Sequence, residues 1–156
     1  MPVRVQEQDF DVGEETRKLT SGNTSVGAVA SFVGLVRSEN DGDAVGGMTL
    51  EHYPGMTEKA LEKIVSEAQS RWRLQDVLVI HRIGKLQPGD QIVLVIVSSG
   101  HRGEAFQACE FLMDYLKTQA PFWKKELTPE GARWVDARVS DDQALARWGI
   151  QAQNAA

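Results

Sequence analysis

Six consecutive apolar residues, Ile92–Val97, form the longest hydrophobic run in the chain, and signals on both sides restrict what they can become. A membrane helix needs about 20 such residues, so this run is read as a buried strand, Gln91–Ser99. Upstream, Pro88-Gly89-Asp90 is a turn signal within the link Gly84–Asp90, which predicts a hairpin between Val77–Ile83 and this strand. Downstream, Gly100 ends the strand and a helical pattern begins.

That helix carries Ala105, Phe106, Cys109, Leu112, Met113 and Leu116 on one apolar stripe. It must end before Pro121, because proline removes a donor and disfavours helical geometry at the residue before it. A second helix is expected from Thr57, read as its N-cap, with Ala60, Leu61, Ile64, Val65, Ala68 and Trp72 at helical spacing. A short, weakly patterned helix is expected at Val12–Leu19. Two further strands, Val26–Val36 and Val45–Tyr53, flank the polar segment Ser38–Ala44, read as a mobile loop. Shorter strands are expected at Phe122–Glu126 and Ala132–Ala137. The central order is ββαββα, which predicts an α+β fold with helices packed on a largely antiparallel sheet. One domain is expected over residues 1–139, followed by a tail, 140–156, read as a short helix and then frayed residues.

At 156 residues the chain can bury one proper core. Its formal net charge of -5, with no long Lys/Arg run, argues against general nucleic-acid or membrane-surface binding. The single cysteine cannot form an internal disulfide, and no apolar segment follows MPVRVQEQDF, so a reducing cytoplasm is the expected compartment. Cys109 falls on the apolar helix stripe and is read as a core thiol rather than a nucleophile. His52, His81 and His101 lie far apart without metal-ligand spacing, so no metal site is expected. Glu51-His52-Tyr53 reads either as an acid/base group or as part of a strand.

Against the acidic background, one cationic cluster surrounds the last helix. His101-Arg102 sits where a strand gives way to a helix, a junction whose free N–H groups and dipole favour an anion. Arg102 can add a bidentate phosphate contact, or it can be an ordinary surface arginine. Lys117 lies about 80° from the centre of the apolar stripe at ~100° per residue, so it can reach a cleft over a buried stem. Equally, it can complement the negative end of the helix. Alternation after the proline break turns Lys124 and Lys125 to opposite sides, so at most one of them faces a site. Spacing leaves that choice open. Arg37, at the end of Val26–Val36, is either a further anion ligand or the polar end of a strand.

The ordered segments LEHYPGMTEKALEKIV, VIHRIGKLQPGD, the HR after VSSG, and MDYLKTQAPFWKKE together resemble the large, catalytic subunit family of molybdopterin synthase, from about Val26 to Arg138. The resemblance implies an α/β-hammerhead fold and a homodimer at the core of a heterotetramer. Each subunit is then expected to receive a small ubiquitin-like sulfur carrier whose C-terminal Gly-Gly thiocarboxylate supplies sulfur. It implies cyclic pyranopterin monophosphate as substrate and the dithiolene of molybdopterin as product; the residue types themselves require no metal or redox cofactor. By the same resemblance Lys117 and Lys124 match the catalytic lysines. Arg37, His101 and Arg102 match substrate-binding positions, and Lys125 and Glu126 extend that binding segment. Because the family's pocket lies near the dimer interface, His101 and Arg102 serve either their own subunit's site or the neighbouring one; the resemblance leaves that choice open. Gly46-Gly47 is internal and the sequence ends Gln-Asn-Ala-Ala, so the sulfur is expected to come from a separate protein. The competing readings are a non-catalytic anion-binding scaffold and, further off, a thiol enzyme using Cys109.

Overall fold

The structure, a computed structural model, describes residues 2–40, 43–44, 46–135, 143–144, 146 and 148–149. Its elements in chain order are β1 (Val3–Gln6), α1 (Val12–Thr20), β2 (Ala28–Leu35), β3 (Glu39–Asn40), β4 (Asp43–Ala44), β5 (Gly47–His52), α2 (Met56–Arg71), β6 (Leu74–Arg82), β7 (Gly84–Leu86), β8 (Gln91–Ser99), α3 (Arg102–Gln119), β9 (Phe122–Thr128) and β10 (Gly131–Val135). The α+β class and the ββαββα core (β2, β5, α2, β6, β8, α3) are both present.

The apolar run is explained by burial on two faces. In the sheet ordered β1-β6-β8-β2, β8 is interior and pairs antiparallel with both neighbours, Val95 facing Val79 and Phe32. Val93, Val95 and Val97 join the larger core beneath α2 and α3, whereas Leu94 and Ile96 pack with Phe10, Leu78 and Ile80 near α1. A strand covered on both faces has no reason to alternate in polarity. Leu94, Val95, Ile96 and Val97 are all 0 % exposed, and each contributes roughly 1.5–3 kcal/mol of burial.

The chain then departs from the single sheet expected. Val26–Val36 and Val45–Tyr53 do not share one: β2 pairs with β8, whereas β5 sits in a second sheet ordered β10-β9-β5-β7. The cause lies in the link Gly84–Asp90. Gly84 adopts φ 83°, open to glycine at little cost, and turns the chain out of β6 into β7, which pairs with β5. Two further differences are pairings the spacing did not predict, one between distant segments and one local. Val3–Gln6 forms a parallel edge strand on β6, and Ser38–Ala44 contains the two-residue ladder β3–β4.

The helices begin and end largely as their sequences dictate. Asp11 caps α1, its carboxylate accepting from Glu14 N at 2.9 Å. α3 stops at Gln119, before Ala120-Pro121. Thr57 is not the cap of α2. Gly55 holds that position, and the Glu58 side chain returns to accept from its N–H at 3.0 Å. Phe106, placed on the buried stripe of α3 by spacing, is 67 % exposed, and Phe111, five residues further and on another side of the helix, is fully buried instead. Of the expected tail, Gln143, Ala144 and Ala146 are helical, and Trp148 stacks edge-on against Trp72 and Phe111. Its indole N–H donates to Asp114 Oδ2 at 2.7 Å. The boundary drawn at residue 139 and the end of the strand expected at Ala132–Ala137 lie outside the described residues.

One contact sets the spacing at the β8–α3 junction. A Cβ added to Gly27 would meet the Gly100 carbonyl oxygen at 2.2 Å, and Gly27 N–H donates to Ser99 O at 2.9 Å. Gly27→Ala is therefore expected to destabilise the fold by about 1–3 kcal/mol, because backbone must move to admit the methyl group. Urea unfolding of the variant beside the parent chain measures it.

Candidate functional site

Antiparallel pairing gathers several chain ends. The end of β2, the start of β8 and the end of β6 lie together, since Leu35 pairs with Gln91 and His81 with Val93. Because α3 follows β8 through a tight turn and packs back on it, its C-terminal turn returns to that same end. Arg37 emerges there from β2, exposed, and Lys117 stands there on α3, also exposed.

β9 brings the next lysine. Its residues alternate, so Phe122, Lys124 and Glu126 share one face while Trp123 and Lys125 share the other. Phe122 stacks on His81 with ring centroids 3.8 Å apart and planes 18° from parallel, so the Phe122–Lys124–Glu126 face looks toward the first sheet. On the opposite face Trp123 meets Tyr53 edge-on, and Lys125 Nζ lies 5.3 Å over the Trp134 ring. Spacing could not choose between the two lysines. The fold puts Lys124, half-buried, on the side of Lys117 and points Lys125 away. Glu126 is 3 % exposed and ion-pairs with Arg133 Nη2 at 3.4 Å.

The centre of this arrangement is a residue that sequence reasoning passed over. His81 is buried on the inward face of β6, in phase with Val77 and Val79, and its Nδ1 lies 2.8 Å from Arg82 O. Burial pushes its pKa down to about 3; the hydrogen bond to Arg82 opposes this, and the charges of Lys124, Lys117 and His52 add to the depression. Two lysines separated by a proline break thus converge electrostatically on one neutral imidazole. The signal available in the sequence was a lone histidine in strand phase with core valines, which is too weak to single out.

A second buried residue steers the connector between the lysines. Thr57, 0 % exposed, accepts from Tyr53 N at 3.1 Å and donates to Pro121 O at 3.2 Å. Its hydroxyl ties the start of α2 to the turn that leads into β9.

His101 and Arg102 do not join this group within one chain. Both are exposed at the far end of α3, where His101 occupies the N-cap position without a side-chain capping bond. At a rise of ~1.5 Å per residue, the helix separates Arg102 from Lys117 by about 22 Å.

Cys109 is buried on α3, and desolvation followed by the Glu110 charge pushes its thiol up to about 11. Roughly one thiol in a thousand would then be ionised at pH 8, which disfavours thiolate chemistry. Among the described residues no three His, Cys, Asp or Glu side chains group closely enough to hold a metal ion. No helix among them is long and apolar enough to cross a membrane.

His81 also makes stability depend on pH. Its folded pKa of about 3 lies below the unfolded value near 6.5, so between these values the unfolded chain binds the extra proton. The stabilisation is complete above pH ~6.5 and is lost as pH falls, by up to about 1.4 kcal/mol per unit. Replacing the group by His81→Gln is expected to flatten that acid limb. Chemical unfolding between pH 4 and 8 reads it as a smaller slope.

Three comparisons bear on this geometry. The family model described as MoaE protein matches residues 5–119. The molybdopterin synthase catalytic subunit of Ralstonia nicotianae is 68 % identical over 153 residues, covering 98 % of this chain and 87 % of the relative. The protein of the same name from Escherichia coli is 61 % identical over 146 residues, covering 94 % and 97 %. Among solved structures, the molybdopterin biosynthesis MoaE protein of Burkholderia ambifaria superposes with a TM-score of 0.82 at 58 % identity, over 96 % of this chain and 98 % of that one. A Helicobacter pylori complex of subunits 1 and 2 of molybdopterin-converting factor, at 20 % identity, contains the same fold with a TM-score of 0.71, over 86 % and 90 %.

Proposed function

This chain belongs to the MoaE protein family, and from that premise we propose that it works as the catalytic subunit of molybdopterin synthase. It transfers sulfur from the thiocarboxylated C-terminus of a small ubiquitin-like carrier to cyclic pyranopterin monophosphate, building the dithiolene of molybdopterin. The reaction belongs to molybdenum cofactor biosynthesis. A homodimer of this chain, with a carrier on each side, makes the working heterotetramer. Placement in the cytoplasm is part of the proposal and rests on the bacterial relatives of the same name.

The observation that supports the reading most is the meeting of Lys117 and Lys124 beside His81, at the end where Arg37 emerges. Thiocarboxylate and phosphate are both anions, and like charges about 4 Å apart repel by roughly 4 kcal/mol at an effective dielectric of 20. Cations placed between them offset that repulsion where charge develops. Lys117, exposed, can meet the carrier's acyl group as it arrives. Lys124, half-buried, can hold charge nearer the pterin and pass a proton as sulfur adds. Arg37 supplies a guanidinium for phosphate. Glu126 shares the Lys124 face of β9 and holds Arg133, whereas Lys125, over the Trp134 ring on the opposite face, is left out of this chain's site.

His101 and Arg102 enter as residues of the partner's site. The 18-residue α3 keeps them from their own Lys117, whereas a two-fold axis can bring one subunit's helix start to the other's helix end.

Two experiments test this reading. Purified chain, thiocarboxylated carrier and cyclic precursor should yield molybdopterin, and plain carboxylate carrier should yield none. Lys117→Ala is expected to lower turnover by at least ~10²-fold, while Cys109→Ser retains it. Precursor binding without product would favour the scaffold reading instead. For the shared site, equal amounts of Arg102→Ala and Lys117→Ala subunits, re-equilibrated into mixed dimers, should recover about a quarter of parental activity, since half the dimers then carry one intact site. Recovery of none would place Arg102 in its own chain's site.

A further inference from the structure

The proposed chemistry leaves one buried titratable side chain beside the two lysines without a task. His81 is 5 % exposed, and with its ring neutral Nδ1–H donates to Arg82 O at 2.8 Å. That bond fixes the ring's orientation at the end of β6. The ring lies flat on Phe122, centroids 3.8 Å apart and planes at 18°. Phe122 is the first residue of β9 and stands two positions before Lys124 on the same strand face. Beyond it, Thr57 Oγ1 donates to Pro121 O at 3.2 Å. The connector from Lys117 to Lys124 is therefore gripped from two sides, by β6 through His81 and by α2 through Thr57.

We propose that His81 is a positioning residue of the two-lysine site: its ring clamps Phe122 and thereby holds Lys124 in register with Lys117 for sulfur transfer. The inference rests on the function proposed above and extends it to a residue outside the catalytic pair.

The requirements of that position explain the residue type. The clamp needs a plane to meet Phe122, which an aliphatic side chain lacks. It needs one donor for the Arg82 carbonyl, because an unpaired buried carbonyl is costly. It must also be uncharged. The charged groups acting on it are Lys117 from α3, Lys124 from β9 and His52 from β5, and an imidazolium among them would push the lysines apart. A carboxylate would be no better, since it would pair with Lys124 and withdraw that charge from substrate. A buried imidazole held neutral satisfies all three requirements.

The test uses the complete enzyme with thiocarboxylated carrier and cyclic precursor, comparing parent, His81→Leu and His81→Phe. Leucine fills much of the volume without the plane, and phenylalanine restores the plane without the donor. His81→Leu is expected to lower kcat by about 10- to 100-fold, as misplacement of a catalytic group does, with carrier affinity changed less than about twofold. His81→Phe should recover most of the lost kcat. Unchanged kcat in His81→Leu would overturn the proposal, as would a phenylalanine variant no better than leucine. A readout that needs no variant is the ring itself: ¹⁵N-edited spectra of the parent enzyme should show His81 as the neutral Nδ1–H tautomer from pH 5 to 8. A protonated ring at pH 6 would likewise overturn it. Failure of the parent enzyme to form product would instead count against the function on which the inference rests.

Discussion

The pairing of β8 with β6 and β2 is the constraint to which the other elements are referred. It buries Ile92–Val97 on two faces at once, so α1 covers one side and α2 with α3 the other. Because both pairings are antiparallel, they fix which chain ends meet: β2 and β6 finish where β8 starts. The helix that follows β8 can only pack back along it, which carries Lys117 to that end and leaves His101-Arg102 at the other. Placement of the cations is thus a consequence of strand pairing, and shifting the register of β8 by one residue would turn its valines to the wrong face.

The second sheet supplies what the first cannot, a strand crossing the open end. β9 joins β5 in register, Lys124 opposite Leu50 and Phe122 opposite His52, and so presents its inner face to the end of β6. Thr57 and His81 are the polar and aromatic ties between the two layers. An isolated hydrogen bond of this kind is worth about 1 kcal/mol net, but losing the one to Pro121 would leave a buried O–H donor and a carbonyl unpaired, which costs more. Such ties locate a segment more than they stabilise a fold, and here the segment located is the one between the two lysines.

What could be read from the sequence was what is decided locally. The hairpin signal at Pro88-Gly89-Asp90, the end of α3 before Pro121, and the apolar stripe of α2 all depend on residues within one or two turns of each other. Cys109 was legible for the same reason. The two-sheet architecture was not, because it depends on Gly84 turning the chain into β7 and on β5 finding β9 some 70 residues away along the chain. Phe106 and Phe111 show the limit on one helix: spacing puts Phe106 on the apolar stripe and leaves Phe111 off it, yet Phe111 is buried, against Arg71, Trp72 and Trp148, and Phe106 is exposed. Lys124 against Lys125 is the same problem on a strand. Alternation says they differ, and the His81–Phe122 stack says which is inside.

His81 shows why a site can stay hidden when its cations are conspicuous. Lysines near an anion site stand out against an acidic chain, but the group that sets their spacing has to be quiet. Holding that imidazole neutral, with its pKa displaced from 6.5 to about 3, corresponds to a preference on the order of 5 kcal/mol against the charged ring. Burial supplies the largest part, so the penalty persists where salt would screen exposed charges. The same burial that makes the histidine unremarkable in sequence, in phase with Val77 and Val79, is what lets it sit within reach of two lysine charges without competing for them. Its tautomer, fixed by the Arg82 carbonyl, then makes the ring a rigid spacer rather than a third titrating group.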